Sequence, residues 1–219
     1  MERSQLENSN DIQELNNIIK SKGKLSKYNQ VEIEGNCLYK NNWPLKEWKQ
    51  SFELREDTKD LCENLYKLGL ISNNILEVGF NGGHSNAIFL LANPEAQIIN
   101  FDLCSHNYSE PCFEYLKSKY NVDLIKGDST IEVPKYKTDI NFDLIHIDGG
   151  HGEECATKDL INCKELATSE TILIFDDANF GVIESILSDF INKDFIKEIN
   201  YNDFNLIKTS PHRIFKYIF

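Results

Sequence analysis

The chain has 219 residues, 41% hydrophobic and 11% aromatic, enough for the core of one α/β domain with an appendage. A net charge of −12 with no Lys/Arg-rich run argues against a nucleic-acid binder that neutralises phosphates, and no apolar run approaches the ~20 residues of a membrane span. The six cysteines (37, 62, 104, 112, 155 and 163) show no CxxC pair or zinc spacing and read as reduced thiols; with a polar N-terminus lacking a signal-peptide pattern, a soluble, cytoplasmic protein is expected.

Residues 1–70 read as a helical extension, a lid or a homodimer contact. "SNDIQELNNIIKSKG" places Ile12, Leu15, Ile18 and Ile19 at helical spacing, with Ser9 or Asn10 as N-cap and Gly23 as a stop. Residues 24–50 are irregular and aromatic; Trp43 and Trp48 suit either core packing or stacking on an acceptor. "DTKDLCENLYKLGL" is helical, with Leu61, Leu65 and Leu68 on one face and Gly69 as the expected C-cap.

From residue 74 to the end, within a unit spanning 71–219, short apolar strands alternate with helices. Strands are expected at 75–80, 96–103, 122–127, 142–148 and 171–177, with helices near 84–93, 110–120, 152–167 and 181–192. Continuous apolar runs suit parallel strands covered on both faces, so the fold class is α/β: a doubly wound, mostly parallel sheet with helices on both faces. "IKEINY" and "HRIFKYIF" read as two further strands closing the sheet in antiparallel fashion.

Ligands of such sheets bind beyond the carboxyl ends of the strands. Each of the five strands ends in or near a carboxylate: Glu77, Asp102, Asp128, Asp148, and Asp176 with Asp177. Any one of these also reads as a cap or turn residue; together they converge on one rim. In "NILEVGFNGGHS" Gly79 starts a strand–turn–helix, but Asn81 and His84 stand where a dinucleotide fingerprint needs glycine, so nicotinamide binding is disfavoured. Glu77 suits a cationic ligand end, and Asp102, 23 residues after Gly79, suits two ribose hydroxyls. An ammonium, a ribose and an adenine without phosphate describe S-adenosylmethionine.

Asp148, Asp176 and Asp177, on adjacent strand ends, would repel one another without a counter-charge. All-oxygen donors suit Mg²⁺ first, or Mn²⁺ or Ca²⁺; capping is the alternative. His151 is the candidate base beside Asp148, or else a polar residue at a helix start. His146, inside a strand, reads as a satisfied core histidine, and His212 as structural. His106 and Tyr108 are candidates to line an adenosine pocket.

"EVGFNGGHS", "FDL", "KGDS", "HIDGGH" and "IFDD", in this order and spacing, resemble class I S-adenosylmethionine-dependent methyltransferases with a Rossmann-like fold. The likeness is to the metal-dependent O-methyltransferases of the macrocin-type sugar and catechol O-methyltransferase group, and covers about residues 70–180. It implies that Glu77, Gly79, Phe80, Asn81, Gly82, Gly83, His84 and Ser85 form the cofactor turn around the methionine end. It further implies that Asp102 with Leu103 holds the ribose side, that Asp128 and Ser129 face the adenine, and that Asp148 serves both cofactor and metal. His151 stands where catechol-type enzymes carry their base; Gly150 departs from the second Asp of sugar-type relatives. The expected activity is metal-assisted O-methylation of a sugar, glycan or similar small molecule. The alternatives are a phenolic acceptor or a non-catalytic binding module.

Overall fold

The computed structural model describes residues 3–24, 37–39, 54, 56, 58–209 and 211–219. Trp43 and Trp48 lie outside them.

The alternation of side chains along each strand explains why the strands are apolar throughout. In β1 (Asn74–Val78) Ile75 faces one layer of helices, while Leu76 and Val78 face the other; all three are buried. The same holds for β2 (Gln97–Asp102), β4 (Leu144–Ile147) and β5 (Ile172–Phe175). β3 (Val122–Lys126) forms one edge. These five strands are parallel, in the spatial order β3-β2-β1-β4-β5.

The C-terminal strands are antiparallel, as expected, but not in simple succession. β7 (Arg213–Tyr217) slots between β5 and β6 (Ile196–Glu198) and runs antiparallel to both, completing a seven-stranded sheet.

One face carries α2 (Asn10–Lys22), α3 (Lys59–Leu70), α4 (His84–Ala92) and α5 (Ser109–Lys117). The other carries α6 (Ser129–Lys135), α7 (Glu153–Lys164) and α8 (Gly181–Asn192). A short helix, α1 (Arg3–Glu7), precedes α2. α6 was not expected; it is a short helix with Pro134 inside it, started by Asp128, whose carboxylate accepts the Thr130 N–H at 2.9 Å.

The caps of α2 are as read: Ser9 Oγ accepts the Ile12 N–H at 3.4 Å, and the Gly23 N–H closes on Ile19 O at 2.8 Å. Gly69 instead lies inside α3, which ends at Leu70. A Cβ there would come within 3.0 Å of Ala92 Cβ, so this glycine lets α3 sit close on α4. Leu15 and Ile19 of α2 and Leu65 and Leu68 of α3 are buried in the same cluster as Ile75 and Ile98 of the sheet. Burying each such side chain is worth about 1.5–3 kcal/mol, so the helices before residue 71 are held by the same hydrophobic contacts as the rest of the fold. All six cysteines are free thiols, four of them buried.

Candidate active site

The central strands approach their carboxyl ends in two tiers. In the lower tier Asn100, Glu77, His146 and Ile174 stand side by side across β2, β1, β4 and β5. Two residues further on, each strand returns a residue to the same face: Asp102, Gly79, Asp148 and Asp176. The upper tier is the rim where such sheets hold ligands.

The lower tier is a buried polar ladder. Glu77 is fully buried. Its Oε1 accepts a hydrogen bond from Nδ1 of His146 at 2.7 Å and its Oε2 a short one from Nδ2 of Asn86. Asn86 and Asn100 exchange two more, at 2.9 and 3.0 Å. Both oxygens of Glu77, expected to meet the cationic end of a ligand, have interior partners in the structure. His146 is not the satisfied core histidine expected. Its Nε2 is buried and has no hydrogen-bond partner. Burial alone would lower the pKa of His146, but the hydrogen bond to Glu77 and the charges of Glu77 and Asp176 outweigh it and raise it.

The glycine turn is shaped by its neighbours. Gly79 has φ +99°, and a Cβ there would lie 2.0 Å from the carbonyl oxygen of Asp148. Gly83, at φ +75°, passes over the Phe80 ring, with 2.7 Å to a hypothetical Cβ. Phe80 is buried under the turn, edge-on to Phe113, and also lines the recess. Gly82 gives room to Ile19 of α2. His84 also turns inward. Its Nε2 lies 3.1 Å from Asn16 Oδ1 and its ring meets Tyr39 edge-on, and burial lowers its pKa to about 4. The recess at the turn is lined by Gly79, Phe80, Asn81, Gly82, His84 and Ser85, with Asp148 and Cys37.

Asp102 sits at the side of this recess with both oxygens oriented. Oδ2 accepts the Asn81 N–H at 2.8 Å, and Oδ1 the Cys104 N–H at 2.5 Å. Asn81, itself at φ +50°, is steadied by the Tyr108 hydroxyl, which donates to its Oδ1 at 2.7 Å; Tyr108 stacks flat on His106. Leu103, 63% exposed, stands beside Asp102. Asp128 caps α6, and Ser129 begins that helix.

The acids at the ends of β4 and β5 do not assemble as one group of three. Among the described residues, a ring nitrogen of His146 and carboxylate oxygens of Asp148 and Asp176 all lie within 4.8 Å of one another. A second set is formed in the same way by Asp148, His151 and Asp177. The reason is local: Asp176 keeps the strand alternation and faces inward, while Asp177, at φ +51°, turns outward. There its Oδ2 pairs closely with Nε2 of His151, whose ring stacks on Phe180 at 5.4 Å between centroids. Burial and the charges of Asp176 and Asp177 push Asp148 well above the usual carboxylate range. Asp176 is pushed up to about 6 by burial, against the pull of His146 and with the repulsion of Asp177. The hydrogen bond to Asp177 raises His151, burial notwithstanding.

The glycine turn after β1, the oriented acid after β2 and the acid cluster after β4 and β5 stand at the strand ends of a Rossmann-like sheet, where α/β folds of this kind hold their ligands. Residues 76–178 match the family profile described as a methyltransferase domain. No curated protein matches the chain. Among solved structures, the fold resembles SAH-bound PaMTH1 of Podospora anserina (13% identity, TM-score 0.58, 75% of this chain and 83% of that one). It also resembles CalS11, a TDP-rhamnose 3′-O-methyltransferase of calicheamicin biosynthesis (19%, 0.57, 75% and 81%). A third is the SAM complex of TomG, an O-methyltransferase of Streptomyces achromogenes involved in tomaymycin synthesis (12%, 0.54, 73% and 79%). At these identities the likeness to solved structures is one of fold.

Sequence reasoning gave no site role to His146, Asn86, Asn100 or Phe180. Two of these had a readable signal. Glu77, Asn100 and His146 each stand two residues before the rim residue of their own strand, an equal offset that puts them in register.

Proposed function

We propose that the protein is an S-adenosylmethionine-dependent, divalent-metal-assisted O-methyltransferase acting on a hydroxyl of a sugar, glycan or similar polyol-bearing small molecule. The observation that carries this reading is the meeting of three things at one recess: the glycine turn, the oriented Asp102, and the acids with His151. The fold likeness to a TDP-rhamnose 3′-O-methyltransferase supports a sugar acceptor.

Bound in the recess, S-adenosylmethionine supplies a methyl group on a sulfonium. Asp102 has one backbone N–H on each oxygen, which leaves lone pairs of both to accept ribose hydroxyls. Leu103 offers an apolar surface to the base. Gly79 keeps the floor of the recess clear, since any side chain there would collide with the Asp148 backbone.

A cation fits the acid cluster on chemical grounds. Asp148 and Asp176 are forced toward their neutral forms by burial and mutual repulsion, and a buried Asp176 oxygen has no hydrogen-bond partner. Asp148, Asp176 and Asp177 are the acids available to it. Held there, Mg²⁺, Mn²⁺ or Ca²⁺ would act as a Lewis acid on the acceptor hydroxyl. His151 stands at the open side, half-exposed, with Nε2 held by Asp177 and its plane fixed by Phe180. Nδ1 is the nitrogen left to take the acceptor's proton.

Calorimetry with S-adenosylhomocysteine tests the cofactor, and a screen of nucleotide-sugar and phenolic acceptors, with and without added Mg²⁺ or chelator, tests the rest. Absence of S-adenosylhomocysteine binding overturns the reading. Turnover on phenols alone moves the acceptor to that class, and full turnover in chelator removes the metal.

A further inference from the structure

A methyltransferase that uses only carboxylates has no need of the buried histidine beneath its acid rim. His146 is 1% exposed, and its Nε2 has no hydrogen-bond partner. A buried ring nitrogen left unpaired costs about 1–3 kcal/mol, and a core position between Phe89 and Ile174 would accept an apolar residue without that cost. A ligand that paired with this nitrogen would remove that cost, as one would for His212 Nδ1, the other buried ring nitrogen without a partner among the described residues.

The surroundings say what. Nδ1 of His146 is bound by Glu77, itself fully buried and fixed from the other side by Asn86. A carboxylate that grips one ring nitrogen and leaves the other free is the arrangement that orients metal-binding histidines. Acids stand close to this ring: a ring nitrogen of His146 and carboxylate oxygens of Asp148 and Asp176 lie within 4.8 Å of one another, a spacing that a single cation would draw in. Asp176 contributes a second buried atom without a partner, Oδ1. Asp177, by contrast, is already engaged by His151 on the open side.

We propose that the cation is held by His146, Asp148 and Asp176, with Glu77 as the carboxylate that orients His146 and Asp177 serving His151 instead of the metal. The proposal rests on the metal-assisted reading above and changes its ligand set. One imidazole among two carboxylates shifts preference from Mg²⁺ toward a first-row transition dication such as Mn²⁺ or Co²⁺. With the cation held there, the buried ladder of Glu77, Asn86 and Asn100 would be the support of a metal centre, and the cation would supply Lewis acidity to an acceptor hydroxyl.

The test uses the full chain and Mn²⁺ alone. Calorimetry should show Mn²⁺ bound about 10-fold or more tighter than Mg²⁺, and pulsed EPR of the Mn²⁺ form should show hyperfine coupling to a ring nitrogen. That coupling should persist in His151→Ala and vanish in His146→Asn. Mn²⁺ affinity should fall by at least about 10- to 100-fold in His146→Asn and by about 10-fold in Glu77→Gln, and stay within about 3-fold of the parent in Asp177→Asn. No nitrogen coupling in the parent protein overturns the proposal, whether or not His146→Asn folds. Loss of Mn²⁺ binding in Asp177→Asn with coupling absent returns the cation to the three carboxylates. S-adenosylhomocysteine affinity, measured on the same samples, separates the outcomes. If it is retained without any Mn²⁺ binding, this metal centre fails while methyl transfer stands; if it is absent, the underlying functional reading fails.

Discussion

His151 and Asp177 meet across the mouth of the recess, Nε2 against Oδ2, from loops that follow different strands. If His151 is the base, as proposed, the pairing sets the pH at which it can act. The hydrogen bond to Asp177 raises the imidazole's pKa, so the ring sheds its proton, and activity rises, at a higher pH than an isolated histidine would give. Replacing Asp177 by Asn removes that cause. The acidic limb of the kcat–pH profile should move to lower pH, and kcat should fall as the ring loses its anchor. His151→Gln should lower kcat by about 10²-fold or more, the usual share of general-base catalysis. An unmoved acidic limb in Asp177→Asn would assign the limb to another group.

Asp102 accepts a backbone N–H on each oxygen, from Asn81 and Cys104. Asn is therefore not a conservative replacement: its amide has one acceptor and would aim an N–H at one of those donors. Charge-assisted hydrogen bonds are worth about 1.5–3 kcal/mol each, so both Asp102→Ala and Asp102→Asn should weaken S-adenosylhomocysteine by about 10- to 100-fold or more. Calorimetry reads this directly, and far-UV circular dichroism should show the sheet intact.

How far the sequence carries is visible in these residues. Strands and helices are legible because each βα unit is a local pattern: apolar runs covered on both faces, punctuated by glycine and acid. Asp102 is legible because its distance from Gly79 is set within one such unit. What escapes depends on non-local pairing. β7 enters between β5 and β6, and no local signal records that order. Glu77 looks like a ligand acid beside a glycine turn. Its partner is His146, 69 residues away, and the register of β1 on β4, not the turn, decides its role. Asp177 looks equivalent in sequence to its neighbour Asp176, but a left-handed backbone conformation sends the two side chains apart.

Glycine positions offer a paired test of that geometry. At Gly79 the backbone has φ +99° and a Cβ would lie 2.0 Å from Asp148 O, a backbone contact that no side-chain rotation relieves. Gly79→Ala should destabilise the fold by several kcal/mol, through steric overlap added to the ~1 kcal/mol or more of a left-handed non-glycine residue. At Gly181, the first residue of α8, an added methyl would meet nothing within 4 Å. Gly181→Ala should leave stability unchanged or raise it by about 0.4–1 kcal/mol. Chemical denaturation of both variants compares them on one scale.

Two buried histidines set an acid limit on stability. Burial lowers the pKa of His84 to about 4, and that of His212 to about 3 with help from His146. In the unfolded chain each titrates near the ordinary value of about 6.5, so below that pH the unfolded state binds more protons and stability falls. The loss should run from about pH 6.5 down to about pH 4 for His84, which contributes up to about 3 kcal/mol, and on to about pH 3 for His212. Thermal unfolding midpoints should drop steeply over this window. His84→Gln should flatten the drop, though it also disturbs the contact with Asn16.

That contact belongs to the seam by which α2 covers the glycine turn, and Asp11 is its outer anchor. Burial works against the Asp11 carboxylate, but hydrogen bonds from Lys119, Tyr120 and Tyr115 hold its pKa below the usual value. The hydroxyls of Tyr115 and Tyr120 donate to it, at 2.7 and 2.6 Å. A carboxylate with a depressed pKa stabilises above its unfolded value, and the gain is lost as pH falls through the folded one. At neutral pH, Asp11→Ala should therefore destabilise the packing of α2 by about 1–3 kcal/mol. Further in, Ile19 lies against Gly82, and Asn16 against His84. Loosening α2 should thus reach the cofactor turn. Hydrogen exchange should quicken across residues 10–22 while β1 and β4 keep their protection, and S-adenosylhomocysteine should bind more weakly. Faster exchange in α2 with unchanged affinity would show that the helix packs on the turn without shaping the recess.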